Sequence, residues 1–172
     1  MTHSDVLTDV FGRIKGIVHR SVGGLSPEQL SIRVNDEGNS IAWLLWHLSR
    51  IQDDHVAEVA GLEQVYTAQG WVDRFGLPFG PSATGFGHSP EDVAAVRVES
   101  VDLLTGYHDA VHDQTIGYLQ GLAGDDLDRI VDESYDPPVS LGIRLVSVIS
   151  DNLQHAGQAA FVRGLIRAGA HG

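Results

Sequence analysis

Asp151 and His155 stand four residues apart in the run Asp151-Asn152-Leu153-Gln154-His155. On a helix that spacing puts both side chains on one face, with Cβ atoms about 5–6 Å apart. A carboxylate and an imidazole so placed can share one cation. The neighbours, Val146 to Ser150 before and Ala156 to Ala160 after, read as inward-packed, where an unpaired carboxylate is costly and a cation would relieve the cost. His47, inside Trp43-Leu44-Leu45-Trp46-His47-Leu48, would lie opposite this pair if the two helices pack antiparallel. Two imidazoles and one carboxylate leave zinc an open position, which is the layout of a catalytic site. The same spacing also describes a buried Asp–His hydrogen bond with no metal. A di-iron bundle needs its carboxylate–histidine motif twice, and only one copy is present.

Other residues compete for roles. His108 and His112 form a second i, i+4 pair, but Asp109, Asp113 and Gln114 beside them suggest a mixed, exposed face. His55 lies two turns beyond His47 and, with Asp54, is placed either to accept a proton at the mouth of a pocket or to sit on a solvated helix end. Arg50, one turn past His47, is placed either to bind a carboxylate of substrate or thiol, or to pair on the surface with Asp53 or Asp54. Trp43 and Trp46, among leucines, read as core, with Trp46 also a candidate pocket wall. Trp71, in a long connection, is the better rim candidate. Gly157, two residues after His155, costs a helix about 1 kcal/mol relative to alanine, which points to close packing or to space for a ligand. Arg144 and Arg163 read as ion-pairing residues. His3, His19, His88 and His171, near termini or loops, carry no signal.

Four stretches with apolar residues at helical spacing must position these groups. The first helix is expected over about Ser4 to Val22, with Val6, Val10, Ile14 and Val18 on one face and Gly23-Gly24 as its stop. Asn39-Ser40 caps a second helix reaching Ala60, with Ile41, Leu44, Leu48, Ile51 and Val59 inward and Gly61 as the stop. Residues 62–88 form a long Gly/Pro-rich connection, read as a lid or rim. Ser89-Pro90-Glu91-Asp92 starts a third helix. That helix breaks near Arg97-Val98, restarts at Ser100 and runs to Gly121. Asp125 to Asp136 reads as a solvated acidic connection, with Pro137-Pro138 extended after it. Ser140 caps the fourth helix, about Ser140 to Ala168, with Leu141, Leu145, Val148, Val162 and Ile166 inward. The expected fold is an all-α four-helix bundle with a long loop between its second and third helices, one domain over residues 1–172.

Composition removes several function classes. The chain has 172 residues, 42% of them hydrophobic, and 23 acidic against 11 basic residues give a net charge of −12. That charge repels phosphate backbones and anionic headgroups, so neither nucleic acid nor a membrane surface is an expected partner. There is no cysteine, so any thiol chemistry must use a sulfur brought from outside. The start, Met1 to Asp5, has no basic region followed by an apolar one, and the apolar run Ile41 to Trp46 is far short of a bilayer span. A cytoplasmic location is expected.

The runs Gly38-Asn39-Ser40-Ile41-Ala42-Trp43-Leu44-Leu45-Trp46-His47-Leu48-Ser49-Arg50-Ile51-Gln52-Asp53 and Asp151-Asn152-Leu153-Gln154-His155-Ala156-Gly157-Gln158-Ala159-Ala160-Phe161-Val162-Arg163-Gly164 resemble the DinB-like superfamily. Within it the chain is similar to the actinobacterial branch that includes mycothiol-dependent maleylpyruvate isomerase and the mycothiol S-transferases. The resemblance, which spans essentially the whole chain, implies a DinB-like bundle with one divalent metal, usually zinc or nickel. It implies a ligand histidine on the second helix and a ligand pair on the fourth. His47 and His155 fall on the family's histidine positions. Asp151 falls where many members carry histidine and isomerase-like ones glutamate, so its shorter side chain ligates directly or through water.

The implied chemistry is activation of mycothiol, or another low-molecular-weight thiol, as a metal-bound thiolate that attacks a small electrophile. Transfer and isomerisation are both within this scheme, and Arg50, Asp54, His55, Trp46, Trp71 and Gly157 are the candidates to serve it. Two other readings stand beside it. One is a metal-dependent hydrolase in which Asp54 or His55 moves the proton. The other is a non-catalytic, metal-stabilised ligand-binding or stress-response bundle. A homodimer is compatible with all three.

Overall fold

The computed structural model describes residues 1–169, so His171 lies outside the described residues. Four long helices form the bundle: α1 (His3–Val22), α3 (Ile41–Ala60), α7 (Val101–Gln120) and α8 (Leu141–Arg167). Shorter helices α2 (Pro27–Leu30), α4 (Val65–Ala68), α5 (Trp71–Phe75) and α6 (Pro90–Ala95) lie in the connections. Around the bundle α3 packs on α8 and α7, and α1 packs on the same two from the far side.

The helix starts follow from side-chain capping of orphan N–H groups. Thr2 and Asp5 form a reciprocal capping box at α1, and Ser89 and Asp92 form another at α6. Ser40, Ser100 and Ser140 each accept from a backbone N–H three residues on, at α3, α7 and α8. Gly61 ends α3 in the left-handed region at φ 66°. The break expected near Arg97-Val98 separates α6 from α7.

The inward faces depart from the expected stripes in detail. On α1 the buried residues are Phe11, Ile14, Val18, Ser21 and Val22, while Val6 is exposed. On α3 Ile41, Leu44 and Leu48 are buried, whereas Ile51 and Val59 are half-buried. All five expected inward residues of α8 are buried, but Val146, Ser147, Ser150, Gly157 and Gln158 are exposed. The flanks of Asp151 and His155 are therefore not wholly inward-packed. The acidic segment expected as a plain connection holds a 3-10 turn (Asp126–Asp128) and a two-stranded antiparallel ribbon, β1 (Ile130–Asp132) with β2 (Val139–Ser140).

A buried polar chain fixes the relative height of three helices. Asn152 Nδ2 donates to Gln52 Oε1 at 2.7 Å, and Gln52 Nε2 donates to Thr115 Oγ1 at 2.8 Å. Sliding α8 along α3 would strand these groups away from water, at about 1–3 kcal/mol for each unmade bond. With Gln52 and Asn152 tied, the antiparallel geometry brings His47 level with His155.

Candidate metal centre

His47, Asp151 and His155 each offer a ligand atom, and these atoms all lie within 4.8 Å of one another. His47 is 4% exposed, and its ring stacks on Trp43 at 4.5 Å between centroids. The His47 and His155 rings meet edge to face at 4.7 Å. His155 Nε2 lies 3.5 Å from Asp151 Oδ1. The other carboxylate oxygen, Asp151 Oδ2, is buried and has no hydrogen-bond partner among the described residues.

Both imidazoles are oriented by oxygen acceptors on their far side. His47 Nδ1 lies 2.6 Å from the Thr84 carbonyl, which can only accept, so Nδ1 carries the proton and Nε2 the lone pair. His155 Nδ1 donates to Gln158 Oε1 at 2.9 Å, with the same consequence. Burial pulls the His47 imidazole below its ordinary pKa, and the Thr84 carbonyl offsets only part of that. For His155 burial also acts downward, but Asp151 and Gln158 favour the ring protonated at both nitrogens and outweigh it, so the net shift is upward; a cation would take the place of the Nε2 proton. A buried, unpartnered carboxylate oxygen beside two Nε2 lone pairs is a donor set that fits a divalent cation.

The connection after α3 closes the back of the site. Gly85, at φ 93°, passes so near that a Cβ there would lie 2.8 Å from His47 Nδ1, 3.1 Å from Trp46 and 3.3 Å from Trp43. Only glycine suits both the backbone angle and the space. Trp43 Nε1 donates to His88 Nδ1 at 3.2 Å, and the His88 ring stacks on Trp46 at 5.8 Å and meets Phe79 at a tilt at 4.5 Å. His88 thus has a place in the wall of the site that its loop position did not signal. Thr84, Gly85 and Gln158 also carry no local motif; only the x-Gly-x character of the loop hints at a close approach.

Several candidates stand elsewhere than expected. Arg50 is fully buried and engaged by other groups of the protein, so it neither meets solvent nor offers itself to a substrate carboxylate. Its partner Asp53 is equally buried, not on the surface. Asp54 Oδ1 accepts from Gln64 Nε2 at 2.6 Å. His55 Nδ1 faces Arg144 Nη1 at 2.8 Å; a guanidinium can only donate, so the His55 lone pair is spent and Nε2 carries hydrogen. Burial and then the Arg144 charge lower the His55 pKa. His55 is therefore a donor in this arrangement, not a proton acceptor.

Trp46 is 1% exposed and packs on Phe79 and His88 instead of lining an opening. Trp71 belongs to the core, against Phe75 and Tyr107, and not to a rim. Gly157 is exposed with no atom within 4 Å of a Cβ position, beside a groove lined by Ile17, Arg20 and Ala160 on the α1 side. His108 is 1% exposed, bonded through Nδ1 to Ser49 Oγ at 3.1 Å, which overturns the exposed face expected there.

The model of the mycothiol S-transferase family matches residues 6–168. The chain belongs to that family. A crystal structure of a conserved protein from Enterococcus faecalis superposes with a TM-score of 0.92 at 26% identity, covering 98% of this chain and 99% of that one. No curated protein matches the chain. The all-α, DinB-like bundle implied by the sequence is the observed fold. No helix among the described residues is long and apolar enough to cross a membrane.

Proposed function

We propose that the protein is a metal-dependent thiol S-transferase or isomerase, with mycothiol as its thiol and a small electrophile as its second substrate. His47, Asp151 and His155 hold the cation, zinc or nickel being the metals suited to two imidazoles and a carboxylate. A divalent cation bound there supplies the positive charge that favours thiolate over thiol. The chain's own contribution is orientation and dryness. Thr84 and Gln158 fix the two Nε2 lone pairs toward Asp151. Trp43 and Gly85 pack close against His47 and keep water from it, while Asp151 and His155 are half-buried.

One observation carries this reading: two imidazoles with committed Nδ1 atoms converge with a carboxylate oxygen that no group among the described residues satisfies. The hydrolase reading needs a proton acceptor beside the site; His55 spends its lone pair on Arg144, and Asp54 already accepts from Gln64 at one of its two oxygens.

The test is metal content and thiol-dependent turnover of a haloarene, measured on the wild type and on His155→Ala. Stoichiometric metal and faster turnover with mycothiol than with glutathione are expected, with both metal and turnover lost in the variant. Equal metal in the two proteins, or turnover of an ester or amide with no thiol present, would overturn the reading.

A further inference from the structure

Arg50 is the largest charged side chain in the core and is 0% exposed. Its five N–H donors meet five acceptors. Nε donates to the Ala83 carbonyl at 3.0 Å, and Nη2 donates to the Pro81 carbonyl at 3.1 Å and to Gln64 Oε1 at 2.9 Å. Nη1 reaches the Tyr107 hydroxyl at 3.2 Å and Asp53 Oδ2 at 3.4 Å. The guanidinium lies over the Tyr66 ring at 4.3 Å. Asp53 is itself anchored, accepting from the backbone N–H groups of Val65 and Tyr66 and from the Tyr107 hydroxyl, each at 2.8 Å.

Burying an arginine costs several kcal/mol unless all its donors are met, and here the planar fork meets them on segments far apart in the chain, which it ties together. Two of the five acceptors are backbone carbonyls at 81 and 83, immediately before the Thr84 carbonyl that receives His47 Nδ1. Arg50 and His47 are one turn apart on α3, so one rigid helix carries both the ring and the clamp that holds the ring's acceptor.

We propose that Arg50 is a positioning residue for His47. By gripping the 81–83 backbone it keeps the Thr84 carbonyl on Nδ1, and so holds the His47 lone pair at Nε2, aimed at Asp151 and His155. This deepens the function proposed above and rests on His47 being a metal ligand. Lysine keeps the charge beside Asp53 but has a point of three donors in place of a planar fork, and it cannot span both carbonyls and the side chains.

The experiment compares wild type, Arg50→Lys, Gln64→Leu and Leu119→Ala. Three readouts are taken: the His47 tautomer in metal-free protein by nitrogen-15 NMR, the zinc Kd by chelator competition, and Tm. Leu119 is fully buried on α7, near the N-terminal end of α1, whose Ser4 Oγ bonds its carbonyl. Its truncation therefore lowers Tm without touching the 81–84 backbone. The expected result is a His47 population shifted away from Nδ1–H in Arg50→Lys, with zinc Kd weakened about tenfold or more, as for loss of an outer-shell partner. Leu119→Ala is expected to keep the wild-type tautomer and a Kd within about twofold, although it costs stability.

An unchanged tautomer and Kd in folded Arg50→Lys would overturn the proposal, as would an equal loss of zinc affinity in Leu119→Ala. Should Arg50→Lys not fold, the wild type decides: metal-free His47 found as the Nε2–H tautomer, or an Arg50 Nε–H that exchanges with solvent as fast as an exposed one, overturns the proposal, and Gln64→Leu, which leaves both carbonyl bonds in place, is expected to keep the wild-type tautomer. Wild-type protein that does not bind zinc would sink the metal assignment alone, because the tautomer of metal-free His47 still reports on the clamp.

Discussion

Replacing Gly85 with alanine separates two costs that the loop behind His47 combines. The residue sits at φ 93°, where an L side chain costs about 1–2 kcal/mol. The added Cβ would also lie 2.8 Å from His47 Nδ1, with Trp46 at 3.1 Å and Trp43 at 3.3 Å behind it. None of these is the free end of a flexible side chain, since all three rings are packed, so overpacking adds about 1–3 kcal/mol. The expected loss is about 2–5 kcal/mol. For a chain of this length that lowers Tm by about 5–20 °C.

Two glycines of the same loop serve as references. Gly87 has φ 75° and no neighbour within 4 Å, so Gly87→Ala reports backbone strain alone. Gly80 has neither a positive φ nor a close neighbour, and Gly80→Ala is expected to be neutral or stabilising by up to about 1 kcal/mol. Thermal denaturation followed by circular dichroism, with zinc affinity measured in parallel, should order the variants Gly80→Ala, Gly87→Ala, Gly85→Ala in increasing damage. Only Gly85→Ala should weaken zinc. Gly85→Ala no worse than Gly87→Ala would refute the close-approach argument.

Gln158→Leu removes the oxygen that accepts from His155 Nδ1, and zinc affinity is expected to fall about 10- to 100-fold by chelator competition. Because Gln158 is exposed, Tm of the metal-free protein should hardly move. Burial lowers the His108 pKa to about 3, so between pH 6.5 and 3 the unfolded state binds the proton that the folded state refuses. Stability from this residue is complete above pH 6.5 and falls on acidification by about 1.4 kcal/mol per pH unit. Denaturant unfolding from pH 7 to pH 4 should therefore give a shallower pH slope for His108→Gln than for wild type, even though the variant, lacking the Ser49 contact, starts less stable. Equal slopes would count against a neutral buried imidazole.

Periodicity and capping were enough for the four long helices, but not for the short α2, α4 and α5 in the connections. Ser40, Ser89, Ser100 and Ser140 cap where the pattern of Ser, Pro and acidic residues puts them, because a cap is a local bond between a hydroxyl and an N–H three residues away. Asp151 and His155 are likewise legible, since i, i+4 adjacency is a property of one helix. The stripes were less so. On α1 Val6, expected inward, is exposed, and Phe11, outside the expected stripe, is buried, because which side of a helix faces inward depends on its neighbours.

By itself the sequence determined an all-α bundle, a chain without its own thiol, and a histidine on each of two helices with a carboxylate one turn from the second. Tertiary structure decided what those groups face. Arg50 turned from a candidate substrate clamp into a buried strut, His55 from an acceptor into a donor, and Thr84, Gly85, His88 and Gln158 into the surroundings of the two imidazoles. The physical reason is range. Capping and helical spacing act over three or four residues, whereas the proton on an imidazole is placed by whatever acceptor the fold delivers, here a carbonyl 37 residues away.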